Sequence, residues 1–598
     1  MTIRGPIALG LHWAHDAAVS VCTPDGILFS VAEERLVRTK HYYGFPMTAI
    51  RTALTACGLT GADVDLFAFS ARKPFFPHHR HYRVVSMAGL ESEVFDPEAV
   101  GKPGPVVSEG MARPGKPLDR QWEGFASRHW AQYTQELEAL GFFHPRMRCY
   151  YVEHHRAHAA SAFRLSGMDE ACVLTLDGKG DNLCATISHG HSDGRMDVVR
   201  VSPKEASLGA FYQAVTEALG FVPVDGEFKT MGLAAAGEGF GGVSPFAGTV
   251  RVVDGVLQST TEWTYRNFNE AHPEKAVNNP LSSVTQAEEY EALLETMSPQ
   301  QMAYCAQSLC EDVMLEFARQ GLALTGARRL ACAGGVMLNV KANGRILQTL
   351  GLMPDDYFVF PDAADSGLAA GAAMEALFQE GALSHAVALA TPYLGPEYGE
   401  EEMCEALDRP GLQRTNGGAN SADVLAGHLA DGLVVGTFQG RLEMGPRALG
   451  NRSVLADPRD VAVKQRINGL LKGREWFVPF APIVLEEDAH LYWDGSLSYP
   501  YMTFAVAATP YARECVPAVV HLDGTLRPQV VTRASNPWLH EVLLAFRART
   551  GVGVLINTSF NRHGHPIVCA PKDAVMHLEN GWVDALAMGP WFVTRQPV

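Results

Sequence analysis

The stretch GRLEMGPRALGNRSVLADP, residues 440–458, restricts the possible folds of this chain more than any other segment. Arginines interleaved with glycine, asparagine and proline cannot all decorate a helix surface. Between Gly436 and Phe480 there are eight cations (Arg441, Arg447, Arg452, Arg459, Lys464, Arg466, Lys472, Arg474) and only four anions (Glu443, Asp457, Asp460, Glu475), while the whole chain carries a net charge of -17. Such a run suggests a pocket that grips a planar or tetrahedral anion, a carboxylate or a phosphate. A solvated basic face is the competing reading.

At 598 residues the chain exceeds one ordinary core, so two or three domains are expected. An apolar fraction of 47% with 19% charged residues is that of a folded protein. A pI near 5.7 argues against nucleic acid as a partner. No apolar run reaches the roughly 18 residues of a membrane span, and the N-terminus turns polar too soon for a signal peptide. Eleven cysteines without a CxxC spacing fit reduced thiols. The expectation is a soluble, cytoplasmic enzyme with no membrane partner.

Along the chain, IALGLHWAHDAAVSV, the turn TPDG and ILFSVAEER read as strand, turn, strand. Residues 74–120, rich in Pro, Gly and His, read as an insertion or lid. HHRAHAASAF, SLGAFYQAVTEALGF and residues 301–320 read as helices, and ACVLTLDGKGDNLCATIS as a hairpin. Both RLACAGGVMLNVKANGRI and DYFVFPDAADSGLAAGAAMEALF read as strand, loop, helix. The Pro/Gly-rich, acidic stretch 391–420 suggests a boundary before a second α/β region with strands in GLVVGTF and GVGVLIN.

Several residues are candidates for chemistry. His154 and His158 lie one helical turn apart on one face, a spacing for two imidazoles on a metal or for two hydrogen-bonded structural histidines. Asp365, in the loop before a helix, is the best third ligand. Gly334 and Gly335 sit in a strand-to-helix turn where backbone N–H groups approach phosphate, or where a tight turn simply needs glycine. Asp177, Gly178 and Lys179 form a turn suited to phosphates, and His15 with Asp16 could act as base or electrophilic partner.

Together these stretches resemble the carbamoyltransferases of the NodU/CmcH family, the TobZ-like O-carbamoyltransferases. The resemblance rests on AHDAAV, AEERLVRTKHYYGFP, HHRAHAASAF, KTMGLA, AGGVMLNVKANGRI, DSGLAAGAAMEALF, GRLEMGPRALGNRSVLADP, KGREWFVPFAP, VHLDGTLRPQVV and INTSFNRHGHPIVCAPKDA, and so spans nearly the whole chain. It implies an α/β protein with an ASKHA-type, TsaD-like domain over residues 1–395 and a YrdC-like α/β domain over 396–598. The first would hold an iron-type divalent metal on His154, His158 and Asp365, with His15 acting in carbamoyl transfer. Asp177, Gly178, Lys179, Gly334, Gly335 and Asn339 would bind the nucleotide there. In the second, Arg447, Lys472 and Arg527, with Arg452, Asn557 and Ser559, would bind carbamoyl phosphate and ATP, with Mg2+ a possible companion of the ATP. The implied acceptor is a hydroxyl of a small-molecule natural product.

Two positions depart from the family pattern: Val478 stands where many members carry arginine, and His565 replaces a common glutamate. The alternatives are a tRNA threonylcarbamoylation enzyme, disfavoured by acidity, a HypF-type maturation protein, disfavoured by the missing CxxC, and an inactive nucleotide-binding homologue. Acceptor choice is expected to reside in residues 74–120, around Phe75, Phe76, His78, His79, His81 and Tyr82.

Overall fold

The computed structural model describes residues 5–70, 81–87, 89–95, 132–273, 281–495 and 498–596. Its first sheet contains β1 (Ala8–His12), β2 (Ala18–Thr23), β3 (Gly26–Ala32), β4 (Leu66–Phe69), β5 (His81–Ser86), β6 (Gly89–Phe95) and β7 (Arg148–Val152), in the order β3-β2-β1-β4-β7-β5-β6. β1, β2 and β3 form an antiparallel meander, while β4 and then β7 add to β1 in parallel. The opening segment therefore holds three strands, with its first bend at residues 13–17. Part of the expected 74–120 insertion is regular: β5 and β6 extend the sheet. Phe75, Phe76, His78 and His79 lie outside the described residues.

The second sheet repeats this plan. β8 (Ala171–Gly180), β9 (Leu183–Gly190) and β10 (Met196–Pro203) form a meander, and β11 (Leu330–Ala333) and β12 (Tyr357–Val359) add in parallel, giving β10-β9-β8-β11-β12. Two copies of a meander followed by parallel strands, with helices packed between them, are the ASKHA-type architecture. Parallel strands need helical crossovers, which explains why both faces of β1 and β11 are buried.

Two helices lie between the sheets, α1 (His154–Arg164) and α2 (Leu368–Gln379). They approach closely because Gly371 has no side chain; a Cβ there would run into the Ala157 carbonyl oxygen. Every residue of α1 is buried, although it includes three histidines and two arginines. Buried charge must be paired, and Glu375 of α2, fully inaccessible, accepts from Arg156 at 3.0 Å, Arg164 at 2.7 and 3.0 Å, and Gln379 at 2.8 Å. Burial alone would raise the Glu375 pKa, but Arg156 and Arg164 lower it from 4.5 to about 2. Its stabilisation is therefore complete above about pH 4.5 and is lost as pH falls toward 2. Glu375→Ala, which strands two buried guanidiniums, is expected to lower unfolding stability by about 3–5 kcal/mol in urea titrations.

The third sheet is mixed. It contains β13 (Leu412–Asn416), β14 (Val435–Phe438), β15 (Ser453–Ala456), β16 (Ala481–Leu485), β17 (Gln529–Val531), β18 (Val554–Ser559), β19 (Ala585–Met588) and β20 (Trp591–Arg595), ordered β13-β20-β19-β14-β15-β18-β16-β17. β13 begins inside the Pro/Gly-rich stretch and pairs antiparallel with the last strand, Leu412 opposite Arg595. This region is closely joined to the first. Arg38 donates to the carbonyls of Ile567 and Pro566 at 2.5 and 3.0 Å, Arg441 donates to that of Leu28 at 2.8 Å, and Leu442, Ala448, Ile567 and Cys569 pack in the core of the first sheet. No helix among the described residues is long and apolar enough to cross a membrane.

Candidate functional site

The first cluster of the site lies between the two ASKHA-type halves. His154 and His158 lie on α1, Asp177 ends the apolar part of β8, and Asp365 precedes α2. One donor atom from each of these four lies within 4.8 Å of the others. His154 Nε2 is 3.1 Å from His158 Nε2 and 3.3 Å from Asp177 Oδ2, and Asp365 Oδ1 is 3.7 and 3.6 Å from the two histidines. At that separation one Nε2–H donates to the lone pair of the other, or both lone pairs turn to a common metal ion. Two imidazoles and two carboxylates are a donor set suited to iron-type divalent metals, so these residues fit the metal that the family resemblance implies. Burial would lower the His154 pKa, but Asp365 and Asp177 raise it to about 9. His155 turns away and meets Thr175 Oγ1 at 2.8 Å.

Sequence reading assigned Asp177 to the nucleotide; the structure makes it the fourth member of this cluster, with its other oxygen accepting from Gly335 N at 2.9 Å. That bond explains the glycine pair: Gly334 has φ of 103°, and a Cβ there would strike the Leu176 carbonyl. The Gly178 carbonyl accepts from Ser207 Oγ at 2.6 Å, and the Lys179 ammonium lies 3.3 Å from the Tyr265 ring centroid, its pKa lowered to about 8 by burial and then by Lys204. Asn339 instead caps a helix through Ala342 N at 3.1 Å and exchanges amide bonds with Gln307, so its side chain is engaged structurally. His12, missed from the sequence, is 94% inaccessible at the end of β1; its Nδ1 is 2.6 Å from Ser70 Oγ and its Nε2 is 3.8 Å from Asp365. Only the strand register reveals this.

The second cluster is built by the arginine-rich loop. Glu443, nearly inaccessible, accepts the backbone N–H groups of Leu449, Asn451 and Arg452 at 2.8, 2.7 and 3.0 Å, so the loop winds around one carboxylate. Arg452 also braces it. Its guanidinium is fully buried, donates to the carbonyls of Gln439, Gly440 and Asn451, and stacks 3.6 Å from the Phe438 ring centroid. Arg452, expected to bind nucleotide, thus points into the fold. Asn557 likewise donates to the Ala448 carbonyl at 2.8 Å.

Arg447, Lys472, Arg474 and Arg527 are what the loop and its neighbours present. Burial, followed by the charge of Arg474, lowers the pKa of Arg447 to about 10; burial lowers that of Arg474 to about 10 against Asp225 and Glu475, which raise it; and burial, followed by Arg447 and Arg474, pushes that of Arg527 well down. Among the described residues none of these three guanidiniums has an ion-pair partner within 4 Å. Lys472 is 99% inaccessible, and its ammonium donates to Ser559 Oγ at 3.1 Å and to Asn561 Oδ1 at 2.8 Å, with no carboxylate beside it. Arg474 was not singled out as a site residue from sequence, although it stands in the quoted KGREWFVPFAP. Val478 packs with Phe477, Leu233, Ala234 and Ala303, and the His565 side chain is exposed while its carbonyl accepts from Asn561 at 2.5 Å.

His15 sits in the first bend, its Nδ1 3.2 Å from Asp16 Oδ2. Asp225, bonded to Lys40, also acts electrostatically on Arg474.

Comparison with known proteins agrees with these features. A family model described as Carbamoyltransferase N-terminus matches residues 7–374, and one described as Carbamoyltransferase C-terminus matches residues 426–595. The chain is 32% identical over 590 residues to nodulation protein NolNO of Sinorhizobium fredii, covering 97% of this chain and 79% of that protein. It is 36% identical over 457 residues to nodulation protein NolO of Bradyrhizobium diazoefficiens, covering 75% and 79%. A 3'-hydroxymethylcephem-O-carbamoyltransferase of Amycolatopsis lactamdurans is 34% identical over 273 residues, 44% of this chain and 49% of that one. With both halves of the family matched in order, this chain belongs to the carbamoyltransferase family.

Proposed function

We propose that the protein is an ATP-dependent O-carbamoyltransferase that forms carbamoyl adenylate in its C-terminal region and transfers the carbamoyl group to a small-molecule hydroxyl in its N-terminal region. The observation that carries this reading is the cluster of Arg447, Arg474 and Arg527, buried guanidiniums without an ion-pair partner within 4 Å among the described residues. Such a cluster suits two mutually repelling anions, carbamoyl phosphate and ATP. Carbamoyl phosphate is hydrolysed to carbamate and phosphate. A carbamate oxygen attacks the α-phosphorus of ATP, and the bond from that phosphorus to pyrophosphate breaks. Carbamoyl adenylate is labile in water, so its passage to the second site without release is favoured, and the apolar core shared by the two regions suits that demand. In the second step the acceptor oxygen bonds to the carbamoyl carbon, the bond to AMP breaks, and His15 takes the hydroxyl proton. The relative named for a hydroxymethyl cephem supports oxygen as the accepting atom.

His154, His158, Asp177 and Asp365 would hold a divalent metal of the iron type, which when bound supplies Lewis-acid polarisation and a template. His158→Ala is expected to weaken Mn2+ or Fe2+ binding at least about tenfold, judged by titration calorimetry of the metal-stripped protein. The reading is tested by pyrophosphate release from ATP with and without carbamoyl phosphate, in the absence of acceptor. Release that depends on carbamoyl phosphate, with trapped carbamoyl adenylate, supports it; release independent of carbamoyl phosphate overturns it.

A further inference from the structure

The bend that carries His15 is held in an uncommon backbone conformation. Ala14, Asp16 and, on the facing loop, His41 all have positive φ, 83°, 56° and 52°. Left-handed backbone at non-glycine residues costs energy and persists only where the surroundings enforce it. Here paired backbone hydrogen bonds between Ala14 and Gly44, at 3.2 and 3.1 Å, and one from Ala17 N to the Tyr42 carbonyl, at 3.3 Å, lock the two loops together.

The result is a line of side chains. His15 Nδ1 lies 3.2 Å from Asp16 Oδ2, and Asp16 Oδ1 lies 2.9 Å from His41 Nδ1. His41 Nε2 is 3.6 Å from Asp225 Oδ1, and that oxygen binds Lys40. The His15 and His41 rings are nearly parallel, 9° apart in plane with centroids separated by 5.5 Å. His15 Nε2 is buried and has no hydrogen-bond partner. A histidine whose Nδ1 faces a carboxylate and whose Nε2 is left open is the arrangement of an oriented general base.

We propose that Asp16 is the positioning carboxylate of His15, holding the Nδ1–H tautomer so that Nε2 receives the acceptor proton, and that His41, Asp225 and Lys40 fix Asp16 in turn. This rests on the reading of His15 as the base of carbamoyl transfer. The competing use of His15, Asp16 and His41 is a second metal site, since their donor atoms lie within 4.8 Å of one another. The Lys40 ammonium on Asp225 and the nearby Arg474 disfavour a further cation there. Burial would lower the His41 pKa, yet Asp16 and Asp225 raise it to about 10, which suits an imidazolium clamped between two carboxylates.

Asn accepts left-handed backbone as readily as Asp, so Asp16→Asn removes charge while preserving shape. The probe is diethyl pyrocarbonate, a carbonyl electrophile that modifies unprotonated imidazole nitrogen, read residue by residue by peptide mass mapping of the full chain. His15, whose side chain is 26% exposed although Nε2 itself is covered, should react slowly but measurably in the parent protein and about tenfold or more slowly still in Asp16→Asn, whose amide would donate to Nδ1 and move the proton to Nε2. Asp16→Glu should restore most of the rate. His41 should resist modification until Asp225→Asn frees it, a second variant that still tests the arrangement if Asp16→Asn does not fold. An unchanged His15 rate in Asp16→Asn, or joint protection of His15 and His41 by Mn2+ in His158→Ala, would overturn the proposal. Carbamoyl-phosphate-dependent pyrophosphate release, measured in parallel, separates the two readings: its absence with the expected reactivity pattern refutes adenylate formation and leaves the positioning role standing.

Discussion

Arg527→Ala is expected to lower the rate of carbamoyl-phosphate-dependent pyrophosphate formation by about 100- to 1,000-fold, the usual cost of removing one preorganised group that stabilises transferring charge. Burial pushes the Arg527 pKa down, and the like charges of Arg447 and Arg474 add to it. Without a polyanion, the three guanidiniums repel one another in a partly desolvated cradle. Removing one relieves that repulsion, so the variant should melt at the same temperature as the parent or higher, the trade-off expected where a site is strained for function. A structural arginine behaves differently. Arg452 binds three carbonyls and stacks on Phe438, and its loss would lower the melting temperature. Pyrophosphate release and thermal melting of the two variants therefore separate cradle from scaffold. Retained adenylate formation in Arg527→Ala would remove this residue from the carbamoyl-phosphate site.

The second large effect is expected from His15→Asn. Asparagine is of similar size and polar but has no basic nitrogen to receive a proton. Carbamoyl transfer from radiolabelled carbamoyl phosphate to a panel of hydroxylated acceptors, cephem alcohols and oligosaccharides among them, should fall by about 100- to 10,000-fold. Pyrophosphate release without acceptor should remain close to that of the parent protein. Loss of pyrophosphate release would instead mean that the His15 bend takes part in adenylate formation, and the division into two sites would fail.

Much of the site was legible because its residues come in long ordered motifs. The HxxxH spacing placed His154 and His158 on one helical face, and Asp365 stood alone before a helix; the three do converge. Clustered arginines between glycines and prolines suggested an anion pocket, and Arg447 lies near enough to act electrostatically on Arg527. Helices and hairpins with strong apolar patterns, such as ACVLTLDGKGDNLCATIS, appear where periodicity put them. The strands β5 and β6 were not legible, because HYRVVS and GLESEVF carry no strict apolar/polar alternation and stand in a stretch rich in Pro, Gly and His.

What the sequence determined by itself was the inventory: the metal-type donors, the surplus of arginine in one stretch, and the order of α/β segments, all of which follow from residue type and local spacing. Which arginine is left without an ion-pair partner among the described residues and which holds up a loop was decided by the tertiary structure alone. Arg447 and Arg452 are five residues apart in one motif, yet Glu443 winds the loop so that one guanidinium joins the cradle and the other meets backbone carbonyls. The same holds for Asp177, drawn into the histidine cluster by the pairing of β8 with β11, and for His41, brought beside Asp16 by bonds between two loops. Each depends on contacts between residues distant in sequence, where register and burial, rather than residue type, set which polar groups face one another.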